Sequence, residues 1–199
     1  MSYTKALPLL LLVLAGCTSV STQKSSSTDS GKTGVLGASA DAETELYRKA
    51  ITSLNNSQLE QAETELRLII KTRPEFAGPW INLALIDLKK KNLVSAEKNL
   101  AVAQKLNPKM PQVYNVHGYV EMAKGNVKKA ADDYRHALAI KEDYAIAHYN
   151  LALLSDTYYQ DVKVAVRHYK RYLELTDNQD KKTADWVLEL ERMIAKGTE

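Results

Sequence analysis

The chain has 199 residues, of which 45% are hydrophobic and 26% are charged, and its formal net charge is +3. This is ordinary globular composition, sufficient for one folded unit. The charge is too small and too evenly mixed to suggest the clustered basic face that is typical of nucleic-acid-binding proteins.

The first seventeen residues form a segment of a different kind. Lys5 supplies a positive charge, and the apolar run Ala6–Leu14 is too short to span a bilayer. The run ends in Leu-Ala-Gly-Cys17, which holds the only cysteine of the chain and so excludes an internal disulfide. These four residues resemble the lipobox of bacterial lipoproteins.

That resemblance implies that residues 1–16 are a cleaved signal peptide. It also implies that Cys17 carries diacylglycerol on its sulfur and an acyl chain on its new amino group, and several acyl chains make anchoring stable. In that family an aspartate after the cysteine favours the inner membrane, so Thr18 implies an outer-membrane lipoprotein facing the periplasm. A surface-exposed orientation and an incidental cysteine after a plain signal peptide are the alternatives.

Residues 17–42 are rich in Ser, Thr, Gly and Ala and show no apolar periodicity. Such a segment cannot bury enough apolar surface to offset the entropy lost on ordering. We therefore expect a flexible tether, with an r.m.s. reach of about 25–30 Å.

From Glu43 onward, small residues recur at an interval of 34 residues. A fixed period of this length predicts an array of helix-turn-helix repeats. The array has four units, at 43–76, 77–110, 111–144 and 145–179. The recurring small residues are Ala50, Ala84, Gly118 and Ala152 in one series and Ala62, Ala96 and Ala130 in a second.

The second unit carries the pattern most fully, in Trp80, Leu83, Ala84, Ala96, Leu100, Ala103 and Pro108. These residues resemble the tetratricopeptide repeat (TPR). The resemblance implies an all-α fold, a TPR α-solenoid of four helix-turn-helix repeats. The fourth unit has one extra residue, which we place in the turn near Tyr158, Tyr159 and Gln160.

Residues 180–199 show a further amphipathic helical pattern. Because a repeat array exposes the apolar side of its last helix pair, we expect a C-terminal capping helix here. The alternative is a helix that docks onto another protein. The apolar face of this helix is predicted to contain Trp186, Val187, Leu190, Met193 and Ile194.

Catalytic and metal-binding patterns are poorly supported. The four histidines, His117, His136, His148 and His168, do not have a metal-ligand spacing. Cys17 is assigned to lipid, and no glycine-rich phosphate loop follows a strand. We expect no enzyme activity, no metal and no cofactor, and structural roles for His117 and His148. The alternative, an enzyme subunit that its repeats bring to a substrate, predicts a cluster of titrating residues.

In TPR proteins the first helix of each repeat lines a concave groove. Asn82 and Asn150 share the sixth repeat position, where an amide either bonds a peptide backbone or bonds within the array. The apolar members should form an exposed patch that a partner covers. The matching positions here are Tyr47, Arg48, Ile51, Ile81, Asn82, Leu85, Asn115, Tyr119, Met122, Tyr149, Asn150 and Leu153.

The sequence therefore predicts a membrane-anchored periplasmic scaffold that binds a protein or peptide, with no nucleic-acid partner and no small-molecule substrate. The combination of lipobox, tether and repeats resembles the TPR lipoproteins that act as pilotins in type IV pilus assembly. The alternatives are a self-assembling structural lipoprotein, which would be a homo-oligomer, and a non-catalytic subunit of a cell-wall or energy-transduction complex.

Overall fold

The computed structural model describes residues 33–197, so the signal peptide, Cys17 and residues 18–32 lie outside the described part of the chain. Within that part the chain forms nine α-helices and no strand. These helices are α1 (Thr33–Asn55), α2 (Leu59–Thr72), α3 (Ala77–Lys89), α4 (Leu93–Leu106), α5 (Pro111–Ala123), α6 (Val127–Ile140), α7 (Ala145–Thr157), α8 (Val162–Leu175) and α9 (Lys181–Lys196).

Each of the four units folds as a pair of antiparallel helices joined by a short turn. The first helices are α1, α3, α5 and α7, and the second helices are α2, α4, α6 and α8. Each second helix also packs against the next first helix, which gives the nearest-neighbour stacking of a solenoid. The all-α solenoid predicted from the 34-residue period is confirmed.

The small residues lie where the two helices of one unit approach most closely. Ala50, Ala84 and Ala152 are fully buried. At Gly118 an added Cβ would overlap the ring of Tyr134, lying 2.8 Å from its Cδ1 atom. The glycine therefore makes room for a tyrosine in the second helix, where the first two units carry Leu66 and Leu100.

The turns within the units show where the extra residue of the fourth unit lies. Each turn contains one residue with a left-handed backbone: Ser57, Lys91, Gly125 and Gln160. The first three are spaced by 34 residues, whereas Gln160 follows Gly125 by 35. The turn between α7 and α8 therefore holds the insertion, as predicted, and it exposes Tyr158 and Tyr159.

A recurrent hydrogen bond joins successive units. Trp80 Nε1 donates to the Pro74 carbonyl oxygen at 3.0 Å, and Tyr114 Oη donates to the Pro108 carbonyl oxygen at 3.0 Å. His148 Nε2 lies 2.9 Å from the Glu142 carbonyl oxygen, in the same position of the next unit. Because a carbonyl only accepts, His148 must carry its proton on Nε2. We call these three contacts the inter-unit bonds.

Two predictions about the ends of the array are corrected. α1 begins at Thr33 rather than at Glu43, so the last part of the predicted tether is helical. Residues 33–42 contain no proline and several alanines, which favour a helix. The prediction of a tether gave more weight to the serine and glycine residues of this stretch.

In α9, Val187 and Leu190 are buried as predicted, but Met193 is 51% exposed. Met193 lines a surface cavity with the turn between α7 and α8 and the first residues of α8, and it lies outside the buried cluster between α8 and α9. No helix among residues 33–197 combines the length and apolar character needed to cross a bilayer.

Candidate protein-binding face

The predicted groove residues lie on the first helices, and in the structure they are exposed, half-buried or buried. Arg48 alone is exposed. Half-buried side chains are Tyr47, Ile51, Tyr119, Met122, Tyr149 and Leu153. The buried ones are Ile81, Asn82, Leu85, Asn115 and Asn150.

The second unit does not provide the exposed apolar patch expected from the sequence. Ile81 is 5% exposed and Leu85 is 2% exposed. Both belong to the core cluster that contains Val113 and Val116 of α5, because α3 and α5 pack directly against one another. These two side chains therefore stabilise the array, and accessible apolar surface remains at the half-buried positions of the other units.

The asparagines bond within the array. Asn82 Nδ2 donates to Tyr47 Oη at 2.9 Å, and Asn150 Nδ2 donates to Asn115 Oδ1 at 2.8 Å. Asn82, Asn115 and Asn150 are 6%, 3% and 4% exposed. Of the two roles considered for these amides, the geometry favours bonding between neighbouring first helices over bonding to a ligand backbone.

The tyrosines of the face are also held from behind. The Tyr119 ring packs edge-on against Tyr134, with centroids 6.0 Å apart. The Tyr149 ring does the same against Tyr169 and Tyr172, at 5.7 and 5.0 Å. Burial raises the pKa of Tyr119 and of Tyr149, so both hydroxyls stay neutral at physiological pH.

The charges on this face differ between its two ends. At the α1 end, Arg48 is paired with Glu45. At the α9 end, Asp156 accepts a hydrogen bond from Trp186 Nε1 at 2.8 Å, and Asp185 is exposed. Neither Asp156 nor Asp185 forms an ion pair within the described part of the chain. Lys181 and Lys182 at the start of α9 are exposed as well, so the α9 end carries charges of both signs.

One leucine at an equivalent repeat position was not considered in the sequence argument. Allowing for the insertion, the ninth repeat position after Leu153 falls on Leu188 of α9, which is 52% exposed. The missing step was to carry the repeat register through the 35-residue fourth unit and into α9. The bond from Trp186 to Asp156 joins α9 to α7, so α9 lies next to the last first helix.

The histidines have structural partners. His148 Nδ1 lies 2.9 Å from His168 Nδ1, and since His148 Nε2 donates to Glu142, His168 must donate in this pair. His117 Nδ1 lies 2.8 Å from Asp133 Oδ2. Among residues 33–197, no three side chains of the metal-ligating types are grouped so that they would hold a metal ion.

The TPR repeat family model matches residues 118–155, which run from α5 through α6 to α7. No protein of curated function matches the sequence. TPR repeats are typical of protein-interaction scaffolds.

Several solved structures share the fold at low sequence identity. A thermophilic TPR protein of Thermus thermophilus, TTC0263, is 20% identical, with a TM-score of 0.65 over 78% of this chain and 84% of that chain. Pseudomonas aeruginosa pilF is 20% identical, with a TM-score of 0.63 over 77% of this chain and 71% of that chain.

A mutant O-GlcNAc transferase of Thermobaculum terrenum is also 20% identical, with a TM-score of 0.59 over 68% of this chain but only 26% of the transferase. At these identities the likeness concerns the fold alone. The period, the helix pairs and these similarities together establish that helices α1 to α8 fold as a solenoid of tetratricopeptide repeats.

Proposed function

We propose that this chain is a non-catalytic adaptor that is anchored by lipid on Cys17 and holds a segment of a partner protein against its first helices. The observation that carries the proposal is the row of half-buried apolar side chains at Ile51, Tyr119, Met122 and Leu153. A scaffold without a partner gains nothing from leaving such side chains in water, so their partial exposure favours an interface.

The lipobox ending in Cys17 and the position of α1 together limit where the adaptor works. Only residues 18–32 separate Cys17 from the start of α1. Whatever their conformation, fifteen residues span at most about 50 Å. A lipidated Cys17 would therefore keep the binding face close to the membrane. With Thr18 after the cysteine, we propose the periplasmic side of the outer membrane.

Within this class, an envelope assembly such as pilus or secretion machinery is the setting we propose. The lipobox, the short connection and the repeats supply the argument, and the similarity to pilF is compatible with it through the fold. A scaffold confined near the membrane suits a partner that must be assembled there.

Photo-crosslinking in cells tests the binding face. A photo-reactive amino acid is placed at Tyr119 or at Leu153, which are half-buried on the face, and at Lys98 of α4, which is exposed on a second helix, as the control. We expect one discrete protein adduct from the first two positions and none from Lys98. Equal labelling from all three positions would count against a specific face.

Mass spectrometry and fractionation test the anchor. The mature protein should begin at Cys17 and carry the mass of diacylglycerol plus one acyl chain, and it should fractionate with the outer membrane. In the Cys17→Ser variant this lipid mass should be absent. An unmodified Cys17 in the mature wild-type chain would contradict the proposal.

A further inference from the structure

The turns within the four units lie along one edge of the solenoid, because each unit repeats the same antiparallel helix pair. Lysines join the first two pairs of neighbouring units at this edge. Lys90 bonds Glu63 at 2.8 Å, and Lys124, 34 residues later, bonds Glu97. The next residue in that series is Tyr158, which is 47% exposed. A tyrosine cannot form this ion pair, so the edge is built differently between the third and fourth units.

At that boundary the start of α6 and the turn between α7 and α8 lie side by side. Val127 of α6 packs against the buried cluster that contains Leu154 of α7. The carbonyl oxygen of Leu154 accepts hydrogen bonds from the backbone N–H groups of Tyr158 and Tyr159, at 3.0 and 3.1 Å. The two lysines that follow Val127 in α6 therefore begin beside the two exposed tyrosines.

The end of α9 completes this surface. Tyr159 and Lys163 line a cavity of about 450 Å³ together with Met193. Tyr159 is 49% exposed and Met193 is 51% exposed, so apolar side chains project beside the lysine. We use the name edge patch for the exposed residues Lys128, Lys129, Tyr158, Tyr159, Lys163 and Met193.

We propose that the edge patch binds the surface of a membrane that contains anionic phospholipids. Its lysines contact the lipid phosphate groups, and its tyrosines and methionine enter the boundary between headgroups and acyl chains. The inference goes beyond the adaptor function, and it uses the proposed lipid on Cys17 only to bring a membrane within reach. It is argued from the charge of the patch, its side-chain types and its distance from the anchor.

The lysines of the edge patch carry uncompensated positive charge. Lys128, Lys129 and Lys163 are exposed, and none of them forms an ion pair within the described part of the chain. All three lie in the first turn of their helices, where the helix dipole disfavours a cation. Their position therefore costs some helix stability while it concentrates positive charge at one place, and such a cluster is attracted to anionic lipid.

The acidic side chains near the patch are bonded to donors of the protein itself. Asp161 is the N-cap of α8 and accepts a backbone N–H of that helix at 3.0 Å. Asp156 accepts a hydrogen bond from Trp186, and the buried Glu121 is paired with Lys124. The lysines of the patch have no such bonds to hold them, so they are the groups that meet an approaching surface.

The other side chains of the patch have the composition of a membrane interface. Tyrosine is enriched at that interface because its ring is apolar and its hydroxyl is polar. Lysine can lay its apolar stem along such a surface while its ammonium group reaches a phosphate. The insertion in the fourth unit lengthens the turn from which Tyr158 and Tyr159 project. Protruding, half-exposed rings suit insertion between headgroups, whereas a protein partner binds best to a desolvated pocket.

The proposed anchor can reach the membrane plane that the patch defines. α1 has 23 residues and ends at the same edge, so its start lies about 35 Å from that edge. Residues 18–32 span at most about 50 Å, which is enough to return to the plane. An exported chain of this kind meets lipid headgroups rather than nucleic acid. With the patch on the membrane, the face formed by the first helices remains open to a partner.

Vesicle co-sedimentation tests the inference. The protein is the mature chain, residues 17–199, with Cys17→Ser, so that no covalent lipid contributes to binding. The probes are vesicles of phosphatidylcholine with one third phosphatidylglycerol, and vesicles of phosphatidylcholine alone are the comparison. At low salt we expect at least about tenfold stronger partitioning onto the anionic vesicles, and added salt should reduce the difference.

Charge reversal locates the contact. The triple variant Lys128→Glu, Lys129→Glu and Lys163→Glu should lower the partition coefficient on anionic vesicles at least about tenfold. Circular dichroism and thermal melting show whether the variant is still folded.

A second triple variant with the same net charge is the matched control. It consists of Lys105→Glu, Lys181→Glu and Lys182→Glu, which change exposed lysines near the opposite edge, at the end of α4 and the start of α9. This variant should retain most of the binding, because the edge patch is intact.

The contribution of the tyrosines is measured in the same way. Tyr158→Ser should weaken partitioning about fivefold, whereas Leu68→Ser should leave it unchanged. Leu68 is a matched control because it is 50% exposed, on the second helix α2, against 47% for Tyr158.

Four results would overturn the inference. These are no partitioning onto anionic vesicles, equal partitioning onto neutral vesicles, equal losses from the two triple variants, and binding of a single-stranded oligonucleotide at least as tight as that of the anionic vesicles. The proposed function is judged separately, by the mass of Cys17 and by the crosslinking at Tyr119 and Leu153. A lipidated Cys17 together with no vesicle binding by the Cys17→Ser chain would keep the anchor and discard the edge patch.

Discussion

The second and fourth units share one helix-pair scaffold but use the same positions differently. The ninth position is Leu85 in the second unit and Leu153 in the fourth, and only Leu85 is buried. The fourth position is Trp80 in the second unit and His148 in the fourth, and both make the inter-unit bond. The repeat register therefore fixes the backbone, while the neighbouring unit decides whether a side chain becomes core or surface.

The largest expected difference between the two regions concerns leucine truncation. Leu85→Ala removes a side chain that is 2% exposed, so it should lower the free energy of unfolding by about 2–5 kcal/mol. Leu188→Ala removes one that is 52% exposed and should change stability by less than about 0.5 kcal/mol. Chemical denaturation of both variants measures this, and equal losses would contradict the difference in burial between the two side chains.

The next largest difference should be in the stability lost when the asparagine hydrogen bonds are removed. Asn150→Ala leaves Asn115, which is 3% exposed, without the amide that donates to it, and should cost about 1–3 kcal/mol. Asn82→Ala removes one donor from the hydroxyl of Tyr47, which is only half-buried, and should cost about 0.5–1 kcal/mol. If the order of the two losses is reversed, the Asn115–Asn150 bond is not a structural contact.

The fourth unit should be the acid-sensitive one. Burial lowers the pKa of His168 to about 4 and also lowers the pKa of His148. In the unfolded chain both histidines titrate near their usual pKa of about 6.5. The stability they contribute is complete above that pH and is lost as the pH falls from about 6.5 toward 4, because the unfolded chain then binds more protons.

After allowance for solvent screening, this loss should be on the order of 1–2 kcal/mol. Melting temperatures measured across pH 7 to 4 test it, and His168→Gln should flatten the profile. Arg135, Arg167 and Arg171 lie near the pair and oppose its protonation, whereas Glu142 and Glu174 favour protonation of His148. An unchanged slope in His168→Gln would refute the assignment.

The smallest pH effect is expected in the third unit, where stability should fall as the pH rises. The hydrogen bond to Asp133 raises the pKa of His117. The stability this pair contributes is complete below pH about 6.5 and is lost as the pH rises through the raised pKa of the folded state. Asp133→Asn should remove this loss, which is under about 1 kcal/mol because His117 is partly exposed. NMR titration of the His117 ring gives the direction independently.

The periodic part of the fold was accessible from the sequence because small residues are required wherever two helices touch. Ala50, Ala84 and Gly118 therefore revealed the helix pairs, and Gln160 falls one residue late, as the insertion requires. The exposure of individual side chains could not be predicted from the sequence in the same way. Whether Leu85 is core depends on how closely α5 approaches α3, and no local pattern encodes that distance.

The ends of the array were the least predictable. Met193 was assigned to the buried face of α9, but this face is decided by the approach of α8 rather than by the sequence of α9 alone. Leu188 was overlooked because α9 was treated as a cap and not as a continuation of the register. The binding role of the face, the lipid on Cys17 and the location of the protein stay predictions.

The inter-unit bonds have a consequence for how such a chain changes its length. Trp80, Tyr114 and His148 each reach a carbonyl six residues earlier, across the boundary between two units. Any duplication or deletion of a whole 34-residue block brings a donor and an acceptor together again at the new junction. Gene duplication can therefore resize this scaffold without losing these bonds only in steps of a whole repeat, and three different side chains, Trp, Tyr and His, make the bond at their own junctions.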